Sequence, residues 1–473
     1  MALKRRTGAR ATPAKPVGAY RATLDSLFAR RRFGIRPGLE VVSAILADHG
    51  HPERAFPSVH LTGSKGKGST AAFAEAVLRA HGLRTGLFTS PHLASYRERM
   101  QVDRVPIDRE SVVEGVARVD ETAARLQASG AIDRAPTFFE VTTVLAFDWF
   151  ARQHVEAAVI EVGVGGRLDS TNVLDSRVGV LTTIELEHTE LLGPTVEAIA
   201  GEKSGILHTG MTGVVGRLPT GAAAVVEAAA GRAGVPLWHL GREVGFDHRS
   251  LSERGQRLDV RLPAVTVEDL QLPLWGTFQA ENVTLAVAAA VRFLTAVGRP
   301  FSAEATRRGL AAVRWPGRLQ RVAQRPDLFY DVAHTPESAR AVAESLGELL
   351  PLAEPSESAI VFGSLRGKEV DRILDALSPL ARTLVVVPVR SARSVPASEL
   401  RVHGVGRFPR IVEARTAEEG VHLARAATGP DGFTLVVGSD YLVGELLQES
   451  DGEEPDLSDP GVESPPVGRG DRR

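Results

Sequence analysis

The feature that most limits what this chain can fold into is an alternation. Short runs of branched apolar residues are separated by longer stretches with helical periodicity. Val59 to Thr62, Leu87 to Thr89, Ala157 to Val162 and Val178 to Thr183 read as buried strands. Between them, Ser69 to Leu83 reads as a helix with Phe73, Val77 and Leu78 on one side, and Phe138 to His154 as a second helix. Strands and helices in this order predict a doubly wound parallel sheet. The pattern restarts after Gly298-Arg299-Pro300, with strands expected at Leu328 to Val332, Ala359 to Gly363, Thr383 to Val387 and Thr434 to Val437. Two α/β domains are therefore expected, at 19–298 and 299–448, with a small antiparallel insert near Val244 to Leu262. A basic tail at 1–18 and a polar Pro/Gly-rich tail at 449–473 lack the apolar residues to join a core and are expected to be disordered.

At 473 residues the chain exceeds one ordinary core, in keeping with two domains. It has no cysteine, which excludes disulfides and thiolate chemistry, so any metal must sit on oxygen or imidazole ligands. A formal net charge of -2 speaks against a nucleic-acid or membrane role driven by basic charge. The start lacks the apolar stretch of a secretory signal, and no uncharged apolar run reaches spanning length, so a cytoplasmic enzyme is expected.

The segment from His60 to Thr70, HLTGSKGKGST, follows a strand and opens a helix. Gly63, Gly66 and Gly68 let the backbone turn tightly and aim N–H groups at an anion, with Ser64, Lys65 and Ser69 alongside. The helix N-terminus adds partial positive charge, and Lys67 can reach terminal phosphates. The general phosphate-loop pattern is met imperfectly: Gly68 separates Lys67 from Ser69, and Leu61 stands at the expected first glycine. A glycine-serine turn that merely carries lysines is the other reading. Ser90 and Glu161 fall at the C-terminal ends of predicted strands, the edge where parallel sheets place ligands.

Eight blocks in order resemble the folylpolyglutamate synthase/dihydrofolate synthase branch of the Mur ligase superfamily. They are GSKGKGST, TSPHL with YRER (89–99), TFFE (137–140), VIEVGVGGRLDSTN (159–172), LEHTELLG (186–193), IAGEKSG (199–205), WPGR (315–318) with YDVAHTP (330–336), and VFG (361–363). The resemblance runs from about Ala19 to Leu447. It implies a large P-loop ATPase domain with a parallel sheet and a smaller Rossmann-like C-terminal domain, with catalysis between them. Three positions depart from the family pattern: Glu187 stands for Asp, Thr335 for Asn, and Phe278 for His.

What the resemblance implies is ATP-dependent ligation of L-glutamate to a folate or to dihydropteroate through an acyl phosphate. Lys67, Lys203 and His188 are the implied catalytic residues. The phosphate loop from Gly63 to Ser69, with Asn282, Arg318 and Asp331, is implied to bind ATP. Two Mg²⁺ ions are implied, on Ser90, Glu161, His188 and Lys203 (the last once carbamylated), with a monovalent cation as a further candidate. Asp169, Phe138, Phe139 and His334 are implied for the folate and glutamate. For Asp169 a turn-holding role stays open, for the adjacent phenylalanines core packing, and for His334 a helix cap. The partners expected are small molecules only, and the chain is expected to be a monomer. Competing readings are a Mur ligase extending a UDP-sugar peptide, a P-loop kinase, and a non-catalytic nucleotide-binding relative.

Overall fold

The computed structural model describes residues 17–30, 34, 36–252, 254–350, 357–430 and 432–451. The expected tails lie outside these residues, except that Val17 and Gly18 open a helix and residues 449–451 end one.

The apolar runs near the start of the chain pair into an eight-stranded sheet. Its strands are β1 (Ser58–Thr62), β2 (Thr85–Phe88), β3 (Met100–Val102), β4 (Val105–Pro106), β5 (Ala157–Glu161), β6 (Val178–Leu181), β7 (Thr212–Val215) and β8 (Leu237–His239), in the order β4-β3-β2-β5-β1-β6-β7-β8. All neighbours from β2 to β8 run parallel; β3 and β4 form an antiparallel hairpin at one edge. The core strands β1 and β5 are buried along their whole length, as residues covered on both faces must be. Register aligns Leu61 with Glu161 and Thr62 with Leu181, so the loops after β1, β5 and β6 leave the sheet side by side.

The helix after β1 runs Lys67–Ala80, and every residue from Ser69 to Leu78 is buried. This corrects the expectation of a helix with one buried side. It packs on β5 on one face and on the helices Thr277–Ala296 and Ala303–Ala311 on others. Its alanines permit that close approach: a Cβ on Gly309 of the neighbouring helix would lie 2.5 Å from the carbonyl oxygen of Ala76. Small residues carry little periodic signal, so the sequence hid the extra buried faces. Helix Phe138–Arg152 begins where Thr137 accepts from the Glu140 N–H at 3.3 Å and the Glu140 carboxylate accepts from the Thr137 N–H at 2.7 Å.

The antiparallel insert has three strands, β9 (Gly245–Ser252), β10 (Gly255–Leu262) and β11 (Val265–Leu272), one more than the segment 244–262 could supply. A six-stranded sheet follows: β12 (Gln320–Ala323), β13 (Asp327–Tyr330), β14 (Ala359–Phe362), β15 (Thr383–Val386), β16 (Arg410–Glu413) and β17 (Phe433–Val437), ordered β12-β13-β17-β14-β15-β16. All but β12 run parallel.

The crossing between the two bodies falls later than the Gly298–Pro300 punctuation. Leu310 and Val313 still pack in the first core, and Leu319 is the first residue after them in the second. The Gly-Arg-Pro segment turns the chain between two helices of the same body instead.

Candidate active site

The phosphate loop leaves β1 through Gly63 and enters its helix at Gly66, both in left-handed backbone at φ +150° and +81°. A side chain at either position would strike Thr182 Oγ1 or Asn282 Oδ1 respectively. The loop is tied to the strand beside it: the Ser64 N–H donates to Thr183 O at 2.8 Å and the Lys65 N–H to Thr183 Oγ1 at 2.9 Å. Lys67 turns back to donate from Nζ to Gly63 O at 2.8 Å. That holds the ammonium over the loop's mouth. Asn282, on helix Thr277–Ala296, donates to Gln279 Oε1 at 3.0 Å, while Gln279 reaches Ser69 Oγ at 3.4 Å. Asn282 thus lies against the loop.

Glu161 ends β5 with only 4% of its surface exposed. Its Oε2 accepts the Ser90 N–H at 3.0 Å, which brings the strand ends of β2 and β5 together. Burial pushes the carboxyl up; the Lys67 charge, the Ser90 N–H and the Arg318 and Arg99 charges pull it back toward the ionised form. Gly68 lies against this carboxylate: a Cβ on it would stand 3.4 Å from Glu161 Oε2, an ordinary contact, and 3.2 Å from Trp315 Cζ2.

Beyond β6, Glu187 meets Lys203 at 2.8 Å. Lys203 is buried, and desolvation, followed by the Lys67 charge, lowers its ammonium to about 8 despite that pairing. Burial would raise Glu187, but Lys203 and Lys67 hold it below its ordinary value. His188 adopts left-handed backbone at φ +45°. Its ring, at the surface, is held below the ordinary imidazole range by the protein on its inner side, against the pull of Glu187.

From the second body, Asp331 follows β13 and accepts the N–H groups of Leu319 and Ala333, each at 2.7 Å. Burial raises its carboxyl to about 6, with Arg318 acting the other way. The Leu319 bond fixes the turn that carries Arg318. His334 bonds Val332 O through Nδ1 at 2.9 Å and approaches Asp440 at 3.4 Å. It does not cap the following helix: Thr335 does, accepting the Ser338 N–H at 3.3 Å. A threonine at that position ends the β13 loop and starts the helix with one side chain.

Next to these groups lies a cavity of about 430 Å³. Ser90, Arg99, Phe138, Phe139, the glycine turn 163–166, Asp169 and Tyr441 of the second body line it. Phe138 is both core and wall: its ring lies 5.7 Å from that of Phe28, tilted, and under the Arg99 guanidinium at 5.1 Å. Phe139 is half-buried and covers Gly163, where a Cβ would come within 2.6 Å of its ring. Asp169 accepts from the Val164 N–H at 3.0 Å, the Thr171 N–H at 3.0 Å and the Thr171 hydroxyl at 2.6 Å. Those bonds hold the turn. His60, fully buried in β1, reaches the same Thr171 hydroxyl at 2.8 Å and is kept neutral, its pKa lowered to about 3 by burial. Both lie within sequence blocks already singled out, but nothing in those blocks shows that they meet, since 111 residues separate them.

Among the described residues no three His, Asp or Glu side chains converge into a ready-made metal cluster. The donors present still suit Mg²⁺, which keeps several waters and takes one or two carboxylates plus substrate phosphates. Glu161 offers a buried carboxylate, held by the Ser90 N–H beside the phosphate loop, and Ser90 brings a hydroxyl to the same strand end. The residues fit the ion.

A phosphate loop on a parallel sheet, facing a second α/β body across a cleft, is the frame of a nucleotide-dependent ligase. The description Mur ligase middle domain matches residues 61–290, and Mur ligase, glutamate ligase domain matches 317–440. Within that class, the chain belongs to the folylpolyglutamate synthase/dihydrofolate synthase family, ligases that form carbon–nitrogen bonds. It is 34% identical over 400 residues to the folylpolyglutamate synthase of Lacticaseibacillus casei, covering 84% of this chain and 91% of that one. It is 35% identical over 416 residues to the dihydrofolate synthase/folylpolyglutamate synthase of Mycobacterium tuberculosis, covering 84% and 85%. The solved M. tuberculosis folylpolyglutamate synthase complexed with ADP superposes with a TM-score of 0.84 at 32% identity, covering 92% of this chain and 99% of that one. A folylpolyglutamate synthase complex with AMPPCP and folate superposes at 0.77 and 30%, covering 91% and 99%. No described helix is long and apolar enough to cross a membrane.

Proposed function

We propose that this ligase joins the amine of L-glutamate to a folate carboxylate, driven by ATP, through an acyl phosphate. The observation that carries the reading is that the loop bearing Lys67, the Ser90–Glu161 pair and the Glu187–Lys203 pair beside His188 gather at the C-terminal end of the sheet, next to the cavity lined by Phe138 and Phe139. A carboxylate resists attack by an amine because its charge repels the electron pair. Phosphorylating it leaves an acyl carbon with a good leaving group, and the amine displaces phosphate to give the amide. What the protein must supply is alignment and neutralisation of phosphate charge.

In this reading the N–H groups of residues 63–69 and the Lys67 ammonium cradle the ATP phosphates, with Asn282 closing the loop from behind. Arg318 faces them from the second body, and Asp331 holds its turn. Mg²⁺, held by Ser90, Glu161 and His188, would spread the phosphate charge when bound, with a second ion toward Lys203. Lys203, with its amine brought toward neutrality, is suited to take up carbon dioxide as a carbamate and become an oxygen ligand. The pterin end of the acceptor lies against Phe139 and Phe138 near Asp169, and the incoming glutamate lies toward His334. The chain acts as a monomer in the cytoplasm.

The test is glutamate incorporation with dihydropteroate and tetrahydrofolate offered in parallel, counting inorganic phosphate per new amide. One phosphate per amide with either acceptor supports the reading. Phosphate transferred to a stable product without an amide would make the chain a kinase, and incorporation into a UDP-sugar peptide alone would make it a wall-precursor ligase.

A further inference from the structure

The hairpin of β3 and β4 turns through Asp103 and Arg104, both in left-handed backbone at φ +50° and +68°. A two-residue loop of this kind favours Asn-Gly or Asp-Gly, because both central residues need positive φ. Arginine at the second position is strained relative to glycine, because its Cβ crowds the following carbonyl oxygen. Its side chain must hold something that offsets the strain.

What it holds is the chain segment that crosses between the two bodies. Arg104 Nη2 donates to the carbonyl oxygen of Arg314 at 2.6 Å, and its guanidinium lies 5.3 Å over the ring of Trp315. Behind it, the buried Glu75 carboxylate approaches Nε at 3.9 Å and also takes the Thr85 hydroxyl at 2.6 Å. Asp103 fastens the turn by accepting the Thr85 N–H at 2.9 Å. The far edge of Trp315 presses on the phosphate-loop helix: its Cζ2 lies 3.2 Å from where a Cβ on Gly68 would be, beside Glu161. Three residues further, Arg318 enters the cleft close enough for its charge to act on both Glu161 and Asp331. The turn is thus pinned at Leu319 by Asp331 and at Arg314–Trp315 by Arg104.

We propose that Arg104 is a positioning residue for the reaction. By clamping Trp315 against the phosphate-loop helix, it fixes the turn that delivers Arg318 to the nucleotide phosphates. The inference rests on the reading of Arg318 as a phosphate contact.

The experiment is steady-state kinetics on the full-length enzyme with ATP and folate varied separately, for Arg104→Gly, Arg318→Ala and the double variant. Arg104→Gly relieves the backbone strain but also removes the Arg314 bond and a charge beside buried Glu75, so the melting temperature is measured alongside and the split between ATP and folate kinetics decides. The variant's kcat/KM for ATP should fall about tenfold, the scale of losing one oriented cation contact and a hydrogen bond, while KM for folate holds. In the Arg318→Ala background the same change should do nothing further. Arg104→Asn, which also tolerates left-handed backbone, should behave as Arg104→Gly does and serves if the glycine variant misfolds. The inference is overturned if both Arg104 variants keep wild-type kinetics while Arg318→Ala is impaired, or if the two losses simply multiply. A lowered melting temperature with ATP and folate parameters moving together would also overturn it, as a structural role. An unimpaired Arg318→Ala would instead remove the reading of Arg318 beneath it.

Discussion

Three side chains at the sheet edge differ in what their removal should do. Lys67 is half-buried and, among the described residues, its side chain bonds only to its own loop at Gly63, so Lys67→Ala should keep the melting temperature. Its loss of phosphate neutralisation should lower kcat by about 10²–10³, as removal of one oriented donor at a developing charge does. Glu161→Gln keeps shape but removes the one buried carboxylate at the Ser90 strand end. The Mg²⁺ concentration for half-maximal rate should rise at least about tenfold, read by Mg²⁺ titration, and chelation should silence both forms. Lys203 makes a pH prediction. Its ammonium is lowered to about 8 in the folded chain and returns toward 10.5 when unfolded. Between those values the unfolded chain binds the extra proton, so the stability from this group rises with pH from about 8 to about 10. In buffer freed of carbon dioxide, where Lys203 stays an amine, Lys203→Met should flatten that rise in denaturant titrations. In ordinary buffer the wild-type protein should carry the mass of one carbon dioxide under non-acid conditions, and short carboxylic acids should partly rescue Lys203→Ala, which leaves them room.

At the scale of elements, the turn from Gly163 to Asp169 decides how the cavity is walled. Asp169 caps the short helix Ser170–Val173 and spends three acceptor positions on its own loop. Its contribution to acceptor binding is therefore mostly through shape. Asp169→Ala should lower the melting temperature, by an amount matching about 2–4 kcal/mol for one cap and its buried partners. Folate KM should rise as a consequence, with ATP KM much less affected. Equal stability with a large loss of folate affinity would instead make the carboxylate a direct pterin contact. The sequence marked Asp169 but left its two roles open, because the bonds run to Val164 and Thr171 across a turn whose geometry no periodicity encodes. The His60–Thr171 contact was out of reach for the same reason. It depends on β1 pairing with β5 and β6, which only the assembled sheet brings about.

At the scale of the molecule, nucleotide should bind where two bodies face each other, so its stabilising effect should depend on the turn that joins them. Gly317 sits at φ +67°, and a Cβ on it would crowd Val332, Leu93 and Val443 at 3.0–3.2 Å. Gly317→Ala should leave each body folded but shrink the rise in melting temperature given by a non-hydrolysable ATP analogue. A ligand at a hundred times its Kd is worth about 2.7 kcal/mol in the wild type, so the change is measurable by differential scanning. An undiminished rise would mean the two bodies bind nucleotide independently.

By itself the sequence determined the two α/β bodies, the phosphate loop and the strand-end positions of Ser90 and Glu161. Each of these follows from local rules: alternating apolar runs make strands and helices, glycines make tight turns, and parallel sheets expose their C-terminal ends. Tertiary structure alone decided that Glu187 would pair with Lys203, that helix Ala303–Ala311 would stay with the first core, and that Arg104 would reach Trp315. The physical reason is range. Backbone preference acts over a few residues, whereas desolvation, ion pairing and close packing act between any atoms the fold brings within a few ångströms. Those neighbours exist only once the sheets have closed.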